Sequence, residues 1–173
     1  MIKCPIFAKF VNYKSMSEQK QKAPSIEEFR ELLKKNSLKA TSQRLSVHKA
    51  MLKLGHASAD MVREEIKNEG SDKITVASVY NILAQLSSLG IYHHRYSPNN
   101  VMYFDVNTFQ HMHLYDCQNN TYKDVIDDKL LEIIGEKLMR HRFKGFRVEG
   151  IDVQIICRPT AKRNMNNYKT DVK

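Results

Sequence analysis

The chain has 173 residues, with 28 Lys+Arg against 19 Asp+Glu, a formal charge of +9 and a hydrophobic fraction of 42%. Those proportions exclude wholesale disorder, and the length suits one domain or two small ones. No apolar run approaches the ~20 residues of a membrane span, and the N-terminal stretch Pro5–Val11 is interrupted by Lys9, so neither a membrane partner nor a secretory signal is expected.

Residues 1–24 mix Lys, Gln and Ser with scattered aromatics and read as a basic flexible arm, within which Met16 is an alternative start to Met1. Ser25-Ile26-Glu27-Glu28 matches a capping box, which opens a helix carrying Phe29, Leu32 and Leu33 on its inner face. A second helix begins at Thr41, buries Leu45, Ala50, Met51 and Leu54, and stops at Gly55. A third runs from about Ser58 to Glu69. The fourth follows Thr75 and places Val79, Ile82, Leu83, Leu86 and Leu89 at helical spacing. Aromatic and β-branched residues then dominate Ile91–Tyr96 and Val101–Phe104 around the turn Ser97-Pro98-Asn99-Asn100. Helices followed by a hairpin predict a winged helix-turn-helix domain over 25–104.

After a linker at Asp105–Gln110, strands are predicted over His111–Cys117 and Tyr122–Ile126, a helix from Asp127 to about Arg142, and a last strand over Phe146–Cys157. This second unit, 105–157, is a small α/β domain, and the whole chain is α+β. A unit of that size is marginal alone, so a homodimer is expected. Residues 158–173 form a basic tail. Cys4, Cys117 and Cys157 make no C-x-x-C pair, and an odd count argues for a reducing, cytoplasmic setting.

The fourth helix has a polar face of Ser78, Asn81, Gln85 and Ser88 with Tyr80 at its border, side chains able to meet base edges in a major groove. It carries no Lys or Arg. Phosphate contacts are expected from Lys39, Arg44, Lys73 and Arg95. The excess charge lies elsewhere: 1–24 holds five Lys against one Glu, and 158–173 five Lys+Arg against one Asp. Such tails supply salt-dependent affinity without sequence choice.

His111 and His113, two apart on a strand, point to one face and suit chelation of one ion. With Asp105, Asp124 and His56 they offer three imidazoles and two carboxylates. A mixed nitrogen and oxygen set without thiolate suits Fe²⁺ or Mn²⁺ at least as well as Zn²⁺.

Four segments resemble the ferric uptake regulator family. Leu38–Leu45 is similar to its T-x-x-R helix entry, Gly55–Asp60 to its H-x-[ST]-A-[DE] segment, and Val76–Leu83 to its recognition helix. Tyr103-Phe104-Asp105 with His111-Met112-His113 resembles its hinge and H-x-H motif. The resemblance spans about Ile26 to Cys157. It implies a non-enzymatic, metal-dependent DNA-binding regulator, in most members a repressor on palindromic operators. The metal, one divalent ion per subunit, would be held by His56, Asp105, His111, His113 and Asp124. Fe²⁺ or Mn²⁺ is the functional ion and Zn²⁺ an alternative in the isolated protein. Tyr80, Ser78 and Asn81 would read bases, and 105–157 would dimerise. Two Asp ligands match the peroxide-sensing subgroup, whereas Glu is usual in the iron-uptake subgroup, so regulation of iron homeostasis and of peroxide stress genes both stand. The family's structural-zinc pairs are replaced by Asp116 and Asn119 and by Cys157 and Thr160, so no structural zinc is expected. Two alternatives remain: a haem-responsive regulator using Cys4-Pro5, and a constitutive winged-helix protein with a vestigial metal site. A thiol switch through Cys117 and Cys157 has no spacing signature.

Overall fold

The computed structural model describes residues 23–70, 74–140, 143–146, 148 and 151–160, with the side chains of 139 and 140 set aside. The elements, in order, are α1 (Ile26–Lys35), α2 (Ser42–Leu54), β1 (His56–Ala57), α3 (Ala59–Asn68), α4 (Val76–Ser88), β2 (His93–Tyr96), β3 (Met102–Asp105), β4 (Met112–Asp116), β5 (Thr121–Val125), α5 (Asp128–Arg140) and β6 (Gln154–Cys157). Cys4, Lys73 and most of both basic tails lie outside the described residues. Among the described residues no helix is long and apolar enough to cross a membrane.

Side-chain caps set the helix starts. Ser25 and Glu28 form the reciprocal capping box of α1, and Thr41, Ser58 and Thr75 each accept a backbone N–H at the first turn of α2, α3 and α4. Gly55 ends α2 at φ +67°, a conformation that costs glycine nothing and other residues a Cβ clash.

The four helices enclose one apolar core in which Phe29, Leu33, Val47, Met51, Val62, Val79, Leu83 and Leu86 are fully or almost fully buried. Inside it, His48 stacks on Phe29 at 3.9 Å between centroids, with its ring nitrogens 2.7 Å from the Tyr92 hydroxyl and 2.9 Å from the Pro24 carbonyl. Burial lowers its pKa, which makes it a satisfied neutral core histidine. Leu89, expected in the core, is exposed because it caps α4 beyond the last inward-facing turn.

Two three-stranded sheets follow. The wing sheet has the order β1-β3-β2 and the second sheet the order β5-β4-β6, with β6 parallel to β4. Two features differ from expectation. A short strand, β1, precedes α3 and pairs with β3 in the register His56↔Asp105, so the linker expected from Asp105 begins inside the wing sheet. The strand predicted over Phe146–Cys157 is confined among the described residues to Gln154–Cys157, where β4 supplies its hydrogen-bonding partner. Phe146 is exposed instead. Alternation along a sequence marks a strand, but a strand extends only as far as its neighbour does.

Candidate metal centre

Cross-strand His–Asp pairs in both sheets supply the cluster. His56 faces Asp105 in the wing sheet, and His113 faces Asp124 in the second sheet. His111 stands one residue before β4. The docking of the two sheets brings all five together.

Ligand atoms of His56, His111, His113 and Asp124 lie within 4.8 Å of one another. Asp105 falls outside that mutual set, yet its Oδ2 is 3.3, 3.2 and 3.3 Å from Nε2 of His56, His111 and His113. Asp124 Oδ1 is 3.0 Å from His56 Nε2 and 3.1 Å from His111 Nε2. Apart from the His113–Asp105 contact, these short distances are not well-formed hydrogen bonds: His56 Nε2, His111 Nε2 and Asp124 Oδ1 are buried and lack an acceptable hydrogen-bond angle to any partner. Buried polar atoms are rarely left so. Atoms that approach without aligning with each other are placed as ligands are, aimed at a shared centre. Metal–ligand bonds of about 2.1 Å set neighbouring ligand atoms about 3.0 Å apart at right angles and about 3.4 Å apart at the tetrahedral angle. The observed spacings fall in that range, and the residues fit a divalent ion.

The outer atoms of these side chains are held as well. Asn107 donates from its backbone N to Asp105 Oδ1 and from Nδ2 to Asp124 Oδ2, both at 2.8 Å, so one residue orients both carboxylates. His111 Nδ1 is 2.7 Å from the Phe109 carbonyl, which only accepts. Nδ1–H therefore donates there, and Nε2 is left for the centre. Nothing in the spacing of Asn107 announces this role. Replacing Asn107 by Ala is expected to weaken divalent-metal binding by about 10–100-fold, as loss of an orienting contact does elsewhere. Titration against a chromophoric chelator measures it, and wild-type affinity would show that the carboxylates need no such support.

Electrostatics couple the cluster to pH. Burial alone would raise the Asp105 carboxyl, but the imidazoles of His111, His113 and His56 outweigh it and hold Asp105 far below the carboxylate range. Asp124 is depressed by His111 and His56, also against burial. Burial opposes charge on His111, yet the adjacent Asp105 and Asp124 carboxylates outweigh it and push its pKa up to about 10, and His56 is raised in the same way. The raised histidines stabilise the metal-free fold fully below their ordinary 6.5, and His111's share is lost as pH climbs through about 10. The depressed carboxylates contribute above their ordinary 3.8 and lose that contribution as pH falls. Ligation needs the nitrogen lone pairs, so protons must leave as metal binds. Metal affinity is therefore expected to rise from about pH 6.5 toward pH 10, read by chelator competition across that window; a flat profile would contradict the protonated metal-free cluster.

Other expected residues fall differently. Arg95 was expected on phosphate, but its side chain is only 8% exposed and turns inward to Asp105 and Asp152. Arg44 Nη1 donates to the Lys39 carbonyl at 2.7 Å and Nη2 to Gln85 Oε1 at 2.9 Å, tying the start of α2 to α4. Lys39 is exposed. On α4, Tyr80 is 42% exposed and Asn81 is exposed, while Ser78 is half-buried with its hydroxyl 2.9 Å from that of Thr75. The turn after β4 is closed by hydrogen bonds: Asn119 Nδ2 donates to Asp116 Oδ2 at 2.7 Å, and the Gln118 N–H to Asp116 Oδ1 at 2.8 Å. Cys117 and Cys157 are free thiols.

A second contact joins the two sheets. Tyr103 of β3 packs on Tyr122 of β5 at 4.9 Å between centroids, Tyr122 packs on Tyr115 at 4.7 Å, and the Tyr103 hydroxyl donates to the Asn120 carbonyl at 2.7 Å.

A winged helix and a small α/β unit, with a metal-binding cluster drawn from the sheets of both, define a two-part metal-responsive DNA-binding protein. The chain belongs to the ferric uptake regulator family, which it matches over residues 35–156. Proteins of this family are transcription regulators rather than enzymes, and they bind DNA as dimers. The fold is similar to the ferric uptake regulator of Vibrio cholerae, at TM-score 0.65 and 20% identity over 75% of this chain and 98% of that one. The Helicobacter pylori regulator, described as having three functional metal-binding sites, gives 0.63 and 17% over 80% and 93%. The peroxide stress regulator of Campylobacter jejuni gives 0.57 and 28% over 77% and 97%. Among curated proteins there is no match.

Proposed function

We propose that this chain is a metal-dependent transcriptional repressor of iron homeostasis or peroxide stress genes, acting as a homodimer on palindromic operator DNA. The observation that carries the reading is the origin of the ligands. His56 and Asp105 belong to the wing sheet, whereas His111, His113 and Asp124 belong to the second sheet or its approach. A bound divalent cation supplies two positive charges against the two carboxylates and accepts the lone pairs of the imidazoles. His56 and Asp105 then hold the DNA-reading half in one orientation against the other half. In a dimer this sets the spacing of two α4 helices, which must match half-sites one or more turns apart. Coupling of this kind is worth about 1–3 kcal/mol in typical cases.

Exposed Ile126, Leu130 and Ile133 near and on α5, and Ile155 and Ile156 on opposite faces of β6, leave the second domain with apolar side chains that a second copy could cover. The two Asp ligands, together with 28% identity to a peroxide stress regulator, favour peroxide within the pair of signals. Anaerobically purified protein is analysed for metal, stripped, and tested with Fe²⁺, Mn²⁺ and Zn²⁺ in turn on duplexes selected from a random pool. Metal is expected to tighten binding. Equal affinity of metal-free and loaded protein would overturn the switch and leave a constitutive DNA-binding protein.

A further inference from the structure

The cluster contains a cation of its own. Arg95 reaches into it from β2, placing Nη1 2.7 Å from His113 Nδ1 and 2.6 Å from Asp152 Oδ1, and Nη2 3.6 Å from Asp105 Oδ2. A guanidinium donates and never accepts. His113 Nδ1 is therefore the acceptor, and the ring's single proton resides on Nε2, the nitrogen that faces Asp105 Oδ2 at 3.3 Å. His111 is the opposite case: its Nδ1–H donates to a carbonyl, so Nε2 is the nitrogen that gives up its proton for ligation. The two histidines of one H-x-H motif thus hold Nδ1 in opposite roles, donor in His111 and acceptor in His113. Loss of the Nε2 proton readies His111 to ligate with its Nδ1 contact unchanged; His113 must also change its Nδ1 partner.

We propose that Arg95, through its contacts with His113 and Asp105, holds His113 in the non-ligating tautomer, and that Asp152 is the acceptor to which His113 Nδ1–H turns in the ligating one. This rests on the metal reading above. For Nε2 of His113 to offer its lone pair, the ring proton must sit on Nδ1, where Arg95 cannot receive it. Asp152 Oδ1, 3.6 Å from Nδ1, can. Arg95 must then release Nδ1, and the positive charge beside Asp105 also opposes entry of a second cation. Both effects have the same sign. Arg95 raises the metal concentration at which the cluster fills, and Asp152, a carboxylate behind a ligating imidazole, lowers it. The pair sets the threshold of the sensor and touches no metal.

The test uses the full-length protein, stripped of metal and titrated with Mn²⁺, as wild type, Arg95→Met, Arg95→Lys and Asp152→Asn. Arg95→Met removes charge and donors at similar length and is expected to tighten Mn²⁺ binding about tenfold, whereas Asp152→Asn weakens it about tenfold. Arg95→Lys keeps a donor-only cation and stays near wild type. Imidazole nitrogen NMR of metal-free protein gives an independent reading: His113 is Nε2–H in wild type and shifts to Nδ1–H in Arg95→Met. Weaker or unchanged Mn²⁺ affinity in Arg95→Met overturns the proposal and makes Arg95 a positioning residue. If that variant does not fold, an Nδ1–H tautomer in the wild type overturns it alone. Failure of wild type to bind Mn²⁺, Fe²⁺ or Zn²⁺ would instead remove the metal reading itself.

Discussion

Replacing His111 and His113 together by Ala is expected to abolish tight metal binding, with a loss of at least about 100-fold. Removing a single supporting contact behind a ligand costs about 10–100-fold, and this change removes two ligands outright. The remaining set would be His56, Asp105 and Asp124, two carboxylates facing one imidazole. His111 also carries the largest upward pKa shift of the cluster, to about 10, so its loss strips Asp105 and Asp124 of their principal partner. The double variant should stay folded, because the helical core around Phe29, Leu83 and Tyr92 is remote from the site and complete without it. The measurements are metal content after dialysis, chelator competition, far-ultraviolet circular dichroism and DNA binding with and without metal. DNA affinity should become indifferent to metal. Retained metal dependence in the double variant would place the sensing ion elsewhere.

Tyr80→Ala is expected to weaken operator binding by about 1–3 kcal/mol, the range of a good base contact. Tyr80 is the one large aromatic exposed on α4, and its ring stands edge-on to Phe104 at 6.2 Å between centroids. Phe104 thus braces Tyr80 on one face of β3 while its neighbour Asp105 enters the His–Asp cluster from the other. Under the proposed function that adjacency would give a bound metal a short mechanical route to α4. Tyr80→Phe keeps the ring and its packing and separates the hydroxyl's share. Metal affinity should not change in either variant, since neither touches a ligand. Unaltered operator affinity in Tyr80→Ala would remove α4's aromatic from base reading, and the charges at Lys39 and in the tails would then carry the binding without sequence choice.

Much of this architecture was legible locally. Caps at Ser25, Thr41, Ser58 and Thr75 mark where backbone N–H groups find a side-chain acceptor, and glycines mark where helices stop, so helix bounds were readable within a residue or two. The period of two expected of a strand from His111 onward placed His111 and His113 on one face without any knowledge of what lay opposite. Leu89 shows the limit of such reasoning, since helical spacing continued past the residue at which the helix ends.

Sequence alone therefore determined the helices, the wing, the three imidazoles and two carboxylates that converge, and that α4 presents a polar face without Lys or Arg while the excess charge lies in the tails. Tertiary structure decided the rest. β1 exists because β3 pairs with it, and two residues are too few to leave a periodic signal. Arg95 reads as a phosphate contact on any wing strand until Asp152, distant in sequence, is seen to receive it. Asn107 matters only because two carboxylates from different sheets flank it. Local propensity acts through a residue's own backbone and near neighbours, whereas the charge and tautomer of a buried side chain depend on what the docked sheets bring against it.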